Sequence, residues 1–302
     1  MTHDEHSPTA LSRRDALRDT LRLLAAGVAG SALLPHLASA AAMMPDTDAA
    51  VSEARRINHI GLQLYTVRSA MAKDLEGTIA AIAAAGITEL EFAGYYNKSA
   101  EWWRERMKAH GMTSPSTHIG LPKTDAEWEP QFAMAQAMGH EWVIVPSFGA
   151  EFRGEGGYKR LADRLNSSGE LARKAGLRMG YHNHDAEFAP QASGLNGFEI
   201  LLANTDPALV DFELDLYWAV RAGQDPMAII AAHPKRIVCC HVKDATPAPE
   251  LAMTEVGAGT INFKQIIAAG RKVGLKHWYI EHDNPKDGLV SIAASAAAMK
   301  SL

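Results

Sequence analysis

The segment Gly180–Phe188, GYHNHDAEF, sets two histidines and two acidic residues among nine positions, directly after an apolar run that reads as a strand. Imidazoles and carboxylates in such proximity serve a metal centre, an acid/base cluster or a polar loop, and the local sequence leaves all three open. The same residue types recur where other apolar runs end, at Glu91, His118, Asp215, His241 and Glu281. His, Asp and Glu at the ends of four consecutive strands would meet at a shared metal if those ends lie on one face.

The elements that must position them alternate in a regular beat. Apolar runs begin at His59, Ile87, Met112, Glu141, Leu177, Val210, Arg236 and His277. Between them lie Ala/Leu/Lys-rich helical segments, several ending at a capping glycine: Gly86, Gly111, Gly176 and Gly274. Eight strand–helix units from Ile57 onward predict an α/β fold, a (β/α)8 TIM barrel, over residues 58–302 as a single domain. A doubly wound open sheet would need a glycine-rich turn after the first strand, and LQLYTVR stands there instead. In the barrel, ligand-binding groups gather at the C-terminal strand ends, which is where these polar residues fall.

Alternation phases each strand. Glu213 and Asp215 share a parity and face the interior, with Asp215 nearer the mouth and the better ligand candidate. His241 stands where its strand turns polar, Glu281 follows three apolar residues, and His182 or His184 is the fifth strand's contribution. Mixed N/O ligation suits Mn²⁺, Zn²⁺, Co²⁺ or Fe²⁺ better than Ca²⁺.

The segments IGLQLYTVR, ELEFAGYY, HVKD with EVGAGTINF, and YIEHD together resemble the sugar phosphate isomerase/epimerase family, the xylose isomerase-like barrels, from about Ile57 to the C-terminus. The resemblance implies one divalent metal, Mn²⁺ first with Zn²⁺, Co²⁺, Fe²⁺ or Mg²⁺ as alternatives, held by Glu, Asp, His and Glu from strands five to eight. Asp215, His241 and Glu281 match the last three positions, while His182 stands where most relatives carry Glu. In the family's epimerases and isomerases the two ligand glutamates move protons on opposite faces of a sugar, and only Glu281 remains of that pair. His184, Glu187 and His118 are the candidates for the second acid/base. Tyr65, Glu91, His184, Trp218 and Lys243 are the candidate substrate contacts, with Glu91 alternatively a partner of Arg68 or Lys243. Gly257 and Gly259 suit a phosphate-binding turn and, equally, a tight loop before a helix.

The implied activity is isomerisation or epimerisation of a sugar or keto-sugar by proton abstraction next to a carbonyl. Its rivals are elimination from a 3-keto-glycoside, dehydration of a cyclic polyol, and a non-catalytic exported sugar-binding barrel. A net charge of −5 over 302 residues, without a Lys/Arg stripe, argues against nucleic acid. The two cysteines, Cys239 and Cys240, are adjacent in a strand and poorly placed for a disulfide. At the N-terminus, Arg13 and Arg14 precede the apolar run Leu23–Leu34 and the small-residue segment LASA. Residues 1–40 thus read as a twin-arginine-type export signal engaging that machinery, with 41–57 a flexible lead-in and a periplasmic or otherwise exported location. The run is too short for a membrane anchor.

Overall fold

The computed structural model describes residues 59–302, and the expected signal (1–40) and lead-in (41–57) lie outside the described residues. The strands are β1 (Gly61–Gln63), β2 (Glu89–Phe92), β3 (Thr113–His118), β4 (Trp142–Val145), β5 (Arg178–His182), β6 (Val210–Asp215) and β7 (Ile237–Val242). A short antiparallel pair follows, β8 (Asp244–Ala245) with β9 (Met253–Thr254), and then β10 (His277–Ile280). Every strand but β8 and β9 joins a closed parallel barrel in the order β1-β10-β7-β6-β5-β4-β3-β2. This is the (β/α)8 barrel that the strand–helix beat predicts.

The outer helices are α1 (Arg68–Lys73), α2 (Leu75–Ala84), α3 (Ala100–Ala109), α4 (Trp128–Met138) and α5 (Glu155–Lys174). They continue as α6 (Gly197–Asn204), α7 (Leu216–Arg221), α8 (Pro226–Ala232), α9 (Phe263–Lys272) and α10 (Gly288–Met299). Among the described residues, no helix is long and apolar enough to cross a membrane. Gly86, Gly111, Gly176 and Gly274 follow α2, α3, α5 and α9 with φ between 65° and 89°. That left-handed conformation ends a helix at little steric cost only for glycine.

Alternation along the strands sorts the side chains. Val210, Phe212 and Leu214 of β6 join the core between barrel and helices, as do Tyr181, Trp278 and Ile280. Full burial of such a side chain contributes about 1.5–3 kcal/mol. The opposite parity faces inward, where Trp142, Ile144, Cys239 and Tyr279 form a small apolar floor. Above it the interior is polar: Glu91 accepts from Gln63 Nε2 at 2.8 Å and Ser116 Oγ at 2.7 Å, and Glu213 stands fully buried. The inward direction of Glu213 agrees with the parity read from the sequence of β6.

Candidate active site

A cavity of about 580 Å³ opens at the C-terminal ends of the strands. Three imidazoles line it, those of His118, His182 and His184, together with Lys243, Glu281 and Asp283, and Tyr65 at the mouth. His118 ends β3 and His182 ends β5, which flank β4 in the barrel order. β4 lies across the ring from β10, the strand that leads into Glu281 and Asp283. One wall is therefore imidazole and the other carboxylate, with Lys243 against the latter.

Lys243 is 1% exposed, and its Nζ stands 2.8 Å from Asp215 Oδ2, 2.7 Å from Glu281 Oε2 and 2.6 Å from Asp283 Oδ1. Despite burial, these carboxylates hold the ammonium well above its ordinary range. Burial by itself would raise Glu281, yet Lys243 and His241 keep it well below the usual carboxylate range. Asp215 behaves differently, because burial outweighs Lys243 and His241 and pushes it up to about 6. Its Oδ1 caps α7 by accepting from Trp218 N at 3.0 Å, and Asn183 Oδ1 holds its backbone N–H. Local helix capping thus fixes the Asp215 rotamer and turns Oδ2 towards the site.

His241 lies fully buried between Glu281 Oε2, 2.7 Å from Nδ1, and Glu91 Oε1, 2.7 Å from Nε2. Burial would lower it, but Glu213 and Glu281 hold it well above the ordinary imidazole range. His182 Nδ1 stands 3.0 Å from Glu213 Oε2 and Nε2 3.6 Å from Asp215 Oδ2. Burial and the neighbouring His241 keep His182 well below its usual range, a neutral ring.

A divalent ion fits the outer set of Asp215, His241 and Glu281, whose ligand atoms all lie within 4.8 Å of one another. Asp215 Oδ2 is buried and receives no directed hydrogen bond, although Lys243 Nζ is close. A buried carboxylate oxygen needs a cationic partner, a role that Lys243 fills here and that a bound divalent ion would share. His182 Nε2 adds a nitrogen beside that oxygen.

The remaining candidates fall in different places. His184 lines the cavity with ring nitrogens that make no hydrogen bond to the described residues, and burial with the Lys243 charge pushes it down to about 4. Tyr65 is 45% exposed and stacks under the Arg68 guanidinium at 3.8 Å. Trp218 stands behind His184, ring centroids 5.5 Å apart, and does not line the cavity. Glu187 is likewise away from it. A 3₁₀ turn at Ala186–Phe188 directs its carboxylate to Tyr181 Oη at 2.6 Å and His184 N at 3.2 Å. Tyr181 belongs to the outward core, so Glu187 sits on the outer side of the wall, where burial pushes it up to about 7. Glu91 lies below the cavity against His241, His118, Gln63 and Ser116, rather than beside Arg68 or Lys243.

Sequence reasoning turned Glu213 inward but ranked it below Asp215, and it gave Asp283 no role. The parity of β6 already turns Glu213 inward, whereas Asp283 lies in the loop beyond β10, where no strand period places it. The glycines of the loop after β7 do not present open amides. Gly257 N and Gly259 N donate to Asp244 Oδ2 at 2.9 and 3.1 Å, so the chain's own carboxylate occupies the phosphate-like turn.

Residues 79–302 match the family model described as the xylose isomerase-like TIM barrel. The chain belongs to that family. Among the relatives of this xylose isomerase-like barrel is the inosose dehydratase of Geobacillus thermodenitrificans (strain NG80-2). It is 24% identical over 245 residues, 68% of this chain and 80% of that protein. A sugar phosphate isomerase/epimerase from Parabacteroides distasonis ATCC 8503 superposes with a TM-score of 0.71 at 28% identity, covering 84% of this chain and 97% of that one. An IolI protein crystallised with a bound zinc atom shares the fold, with a TM-score of 0.63 at 15% identity over 80% of this chain and 96% of that one.

Proposed function

We propose that this barrel is a divalent-metal-dependent lyase that removes a proton next to the carbonyl of a keto-sugar or cyclic polyol ketone and expels an oxygen substituent from the neighbouring carbon. The observation that carries this is the division of the cavity: its carboxylates, Glu281 and Asp283, lie on one wall and face imidazoles on the other. Elimination needs one base and one donor to the leaving oxygen, and that division supplies them. Glu281 Oε2 is held by His241 Nδ1 and Lys243 Nζ, which leaves Oε1 to take the proton. His184, across the cavity, has ring nitrogens free to hydrogen-bond the leaving oxygen. Tyr65 with Arg68 offers an amphipathic face at the mouth on which a sugar ring can lie.

Asp215, His241, Glu281 and His182 would hold the metal, which would supply Lewis-acid polarisation of the carbonyl oxygen and so acidify the adjacent C–H. The donor set suits Zn²⁺ or Mn²⁺. The similarity to an inosose dehydratase and the zinc bound by the IolI protein support elimination and a metal respectively.

A second reading, isomerisation or epimerisation, is favoured by the similarity to the isomerase/epimerase, with His184 as the second proton carrier opposite Glu281. Incubation with inosose and 3-keto-glycosides in D₂O, followed by NMR, separates the two. Loss of the substituent supports the lyase; deuterium entering a carbon with every substituent retained overturns it. Residues 1–40 are proposed to be a twin-arginine export signal cleaved after Ala40, and an intact mass of periplasmic protein that does not begin at Ala41 contradicts this.

A further inference from the structure

Below the outer set, a second group converges inside the barrel. Glu213 Oε2 stands 2.7 Å from His118 Nε2, 3.0 Å from His182 Nδ1 and 3.0 Å from His241 Nε2. All four ligand atoms lie within 4.8 Å of one another. They come from β3, β5, β6 and β7, so the parallel register rather than a flexible loop fixes their positions. We propose that His118, His182, Glu213 and His241 form a divalent-metal site of their own, three nitrogens and one oxygen, suited to Zn²⁺.

Geometry favours it. Zinc bonds of about 2.0–2.1 Å to nitrogen and oxygen place tetrahedral ligand atoms about 3.3 Å apart. The O–N separations of 2.7–3.0 Å need to open by only a few tenths of an ångström. His118 lines the cavity, which gives an ion its way in. The two sets share His182 and His241 through opposite ring nitrogens, and a neutral imidazole ligates through one nitrogen while the other keeps its proton, so an ion occupies one set or the other. His182 turns Nδ1 to the inner set and Nε2 towards Asp215, while His241 turns Nε2 inward and Nδ1 to Glu281. A carboxylate on the far nitrogen, as Glu281 is on His241, fixes ring orientation and strengthens the ligand. The inner set also keeps two members, His118 and Glu213, that the outer set lacks.

Charge supplies an independent argument. Lys243 contacts Asp215, Glu281 and Asp283, so the outer carboxylates have a cationic side chain. Glu91 and Glu213 are both fully buried and contact only His, Gln, Ser and Cys side chains, with no Lys or Arg among the described residues. Two buried carboxylates facing each other across imidazoles need cationic partners, which protons on those rings or one divalent ion can supply. Glu91 Oε1, 2.7 Å from the same His241 nitrogen, offers a fifth oxygen.

The test uses the full chain, stripped with a chelator and titrated with Zn²⁺ by calorimetry, with Co²⁺ absorption as a spectroscopic report of the ligand field. Asp215→Asn and Glu281→Gln each remove an outer ligand, and both variants should still bind one equivalent. Adding His118→Ala or Glu213→Gln to either should weaken binding more than about 100-fold, beyond what loss of an outer-shell partner costs, and abolish the tetrahedral Co²⁺ bands. His118→Gln serves where the alanine variant fails to fold, as judged by circular dichroism. The site is overturned if Asp215→Asn and Glu281→Gln both bind no metal, or if His118→Ala and His118→Gln leave their affinity unchanged. Failure of the lyase reading would show separately, as absent turnover with inner-site binding intact.

Discussion

Lys243→Met removes the one ammonium that faces Asp215, Glu281 and Asp283 at 2.6–2.8 Å. At an effective dielectric of about 20, a charge pair 2.7 Å apart is worth about 6 kcal/mol before desolvation. Transferring each ion out of water costs several kcal/mol, so most of that attraction is offset. What the variant loses is the compensation: Asp215 and Glu281 stay buried without the ammonium, with His241 remaining beside Glu281, a state that costs about 3–5 kcal/mol. Asp283 is 23% exposed and adds little, because water reaches it. For a domain of this size, each kcal/mol shifts Tm by about 2–4 °C. Chelator-treated Lys243→Met should therefore melt about 6–20 °C below the parent. Saturating Zn²⁺ should narrow the gap, since a cation held by Asp215 and Glu281 replaces the missing charge, and the variant should bind Zn²⁺ more tightly. A loss below about 1 kcal/mol in the stripped protein, or a gap that metal leaves unchanged, would refute the electrostatic reasoning.

Glu187→Gln should raise stability in alkaline but not acidic solution. Burial lifts its carboxyl from 4.5 to about 7, so the folded state keeps a proton that the unfolded chain releases, and stability falls as pH rises through that window. A span of about 2.5 units amounts to about 3 kcal/mol above pH 7 and nothing below about pH 4.5. Urea unfolding at pH 4 and pH 8 checks this, and an equal difference at both would contradict it. Asp244→Ala should destabilise by about 3–4 kcal/mol, since its carboxylate accepts from the amides of Ala245, Gly257, Gly259 and Ile261 at 2.8–3.1 Å. Limited proteolysis should then cut the loop between β7 and α9; a resistant loop with parent stability would show that the amides find other partners.

The barrel was legible because its periodicity is local: inward and outward residues alternate along every strand, and left-handed glycines end the helices. Asp215 and His241 were legible for the same reason, each being the last inward position of its strand, and Glu281 follows directly on β10. Glu187 was not, because a single 3₁₀ turn decides whether its carboxylate faces the cavity or Tyr181, and nothing in DAEF fixes that turn. Glu91 required the register of β1 against β2, which pairs it with Gln63 and sets it a layer beneath the mouth. The glycines of the loop after β7 signalled exposed amides correctly, but their acceptor, Asp244, lies 13 residues before Gly257 in sequence.

Glu281 as the proton-accepting base of an elimination is tested most directly by NMR of the Zn²⁺- or Mn²⁺-loaded protein with a keto-sugar substrate in D₂O, beside Glu281→Gln whose metal content has been measured. The parent should release the β-substituent and form the unsaturated ketone or its enol, and Glu281→Gln with metal bound should do neither. Substituent loss at an undiminished rate in metal-loaded Glu281→Gln, or deuterium exchange in the parent with all substituents retained, would contradict it.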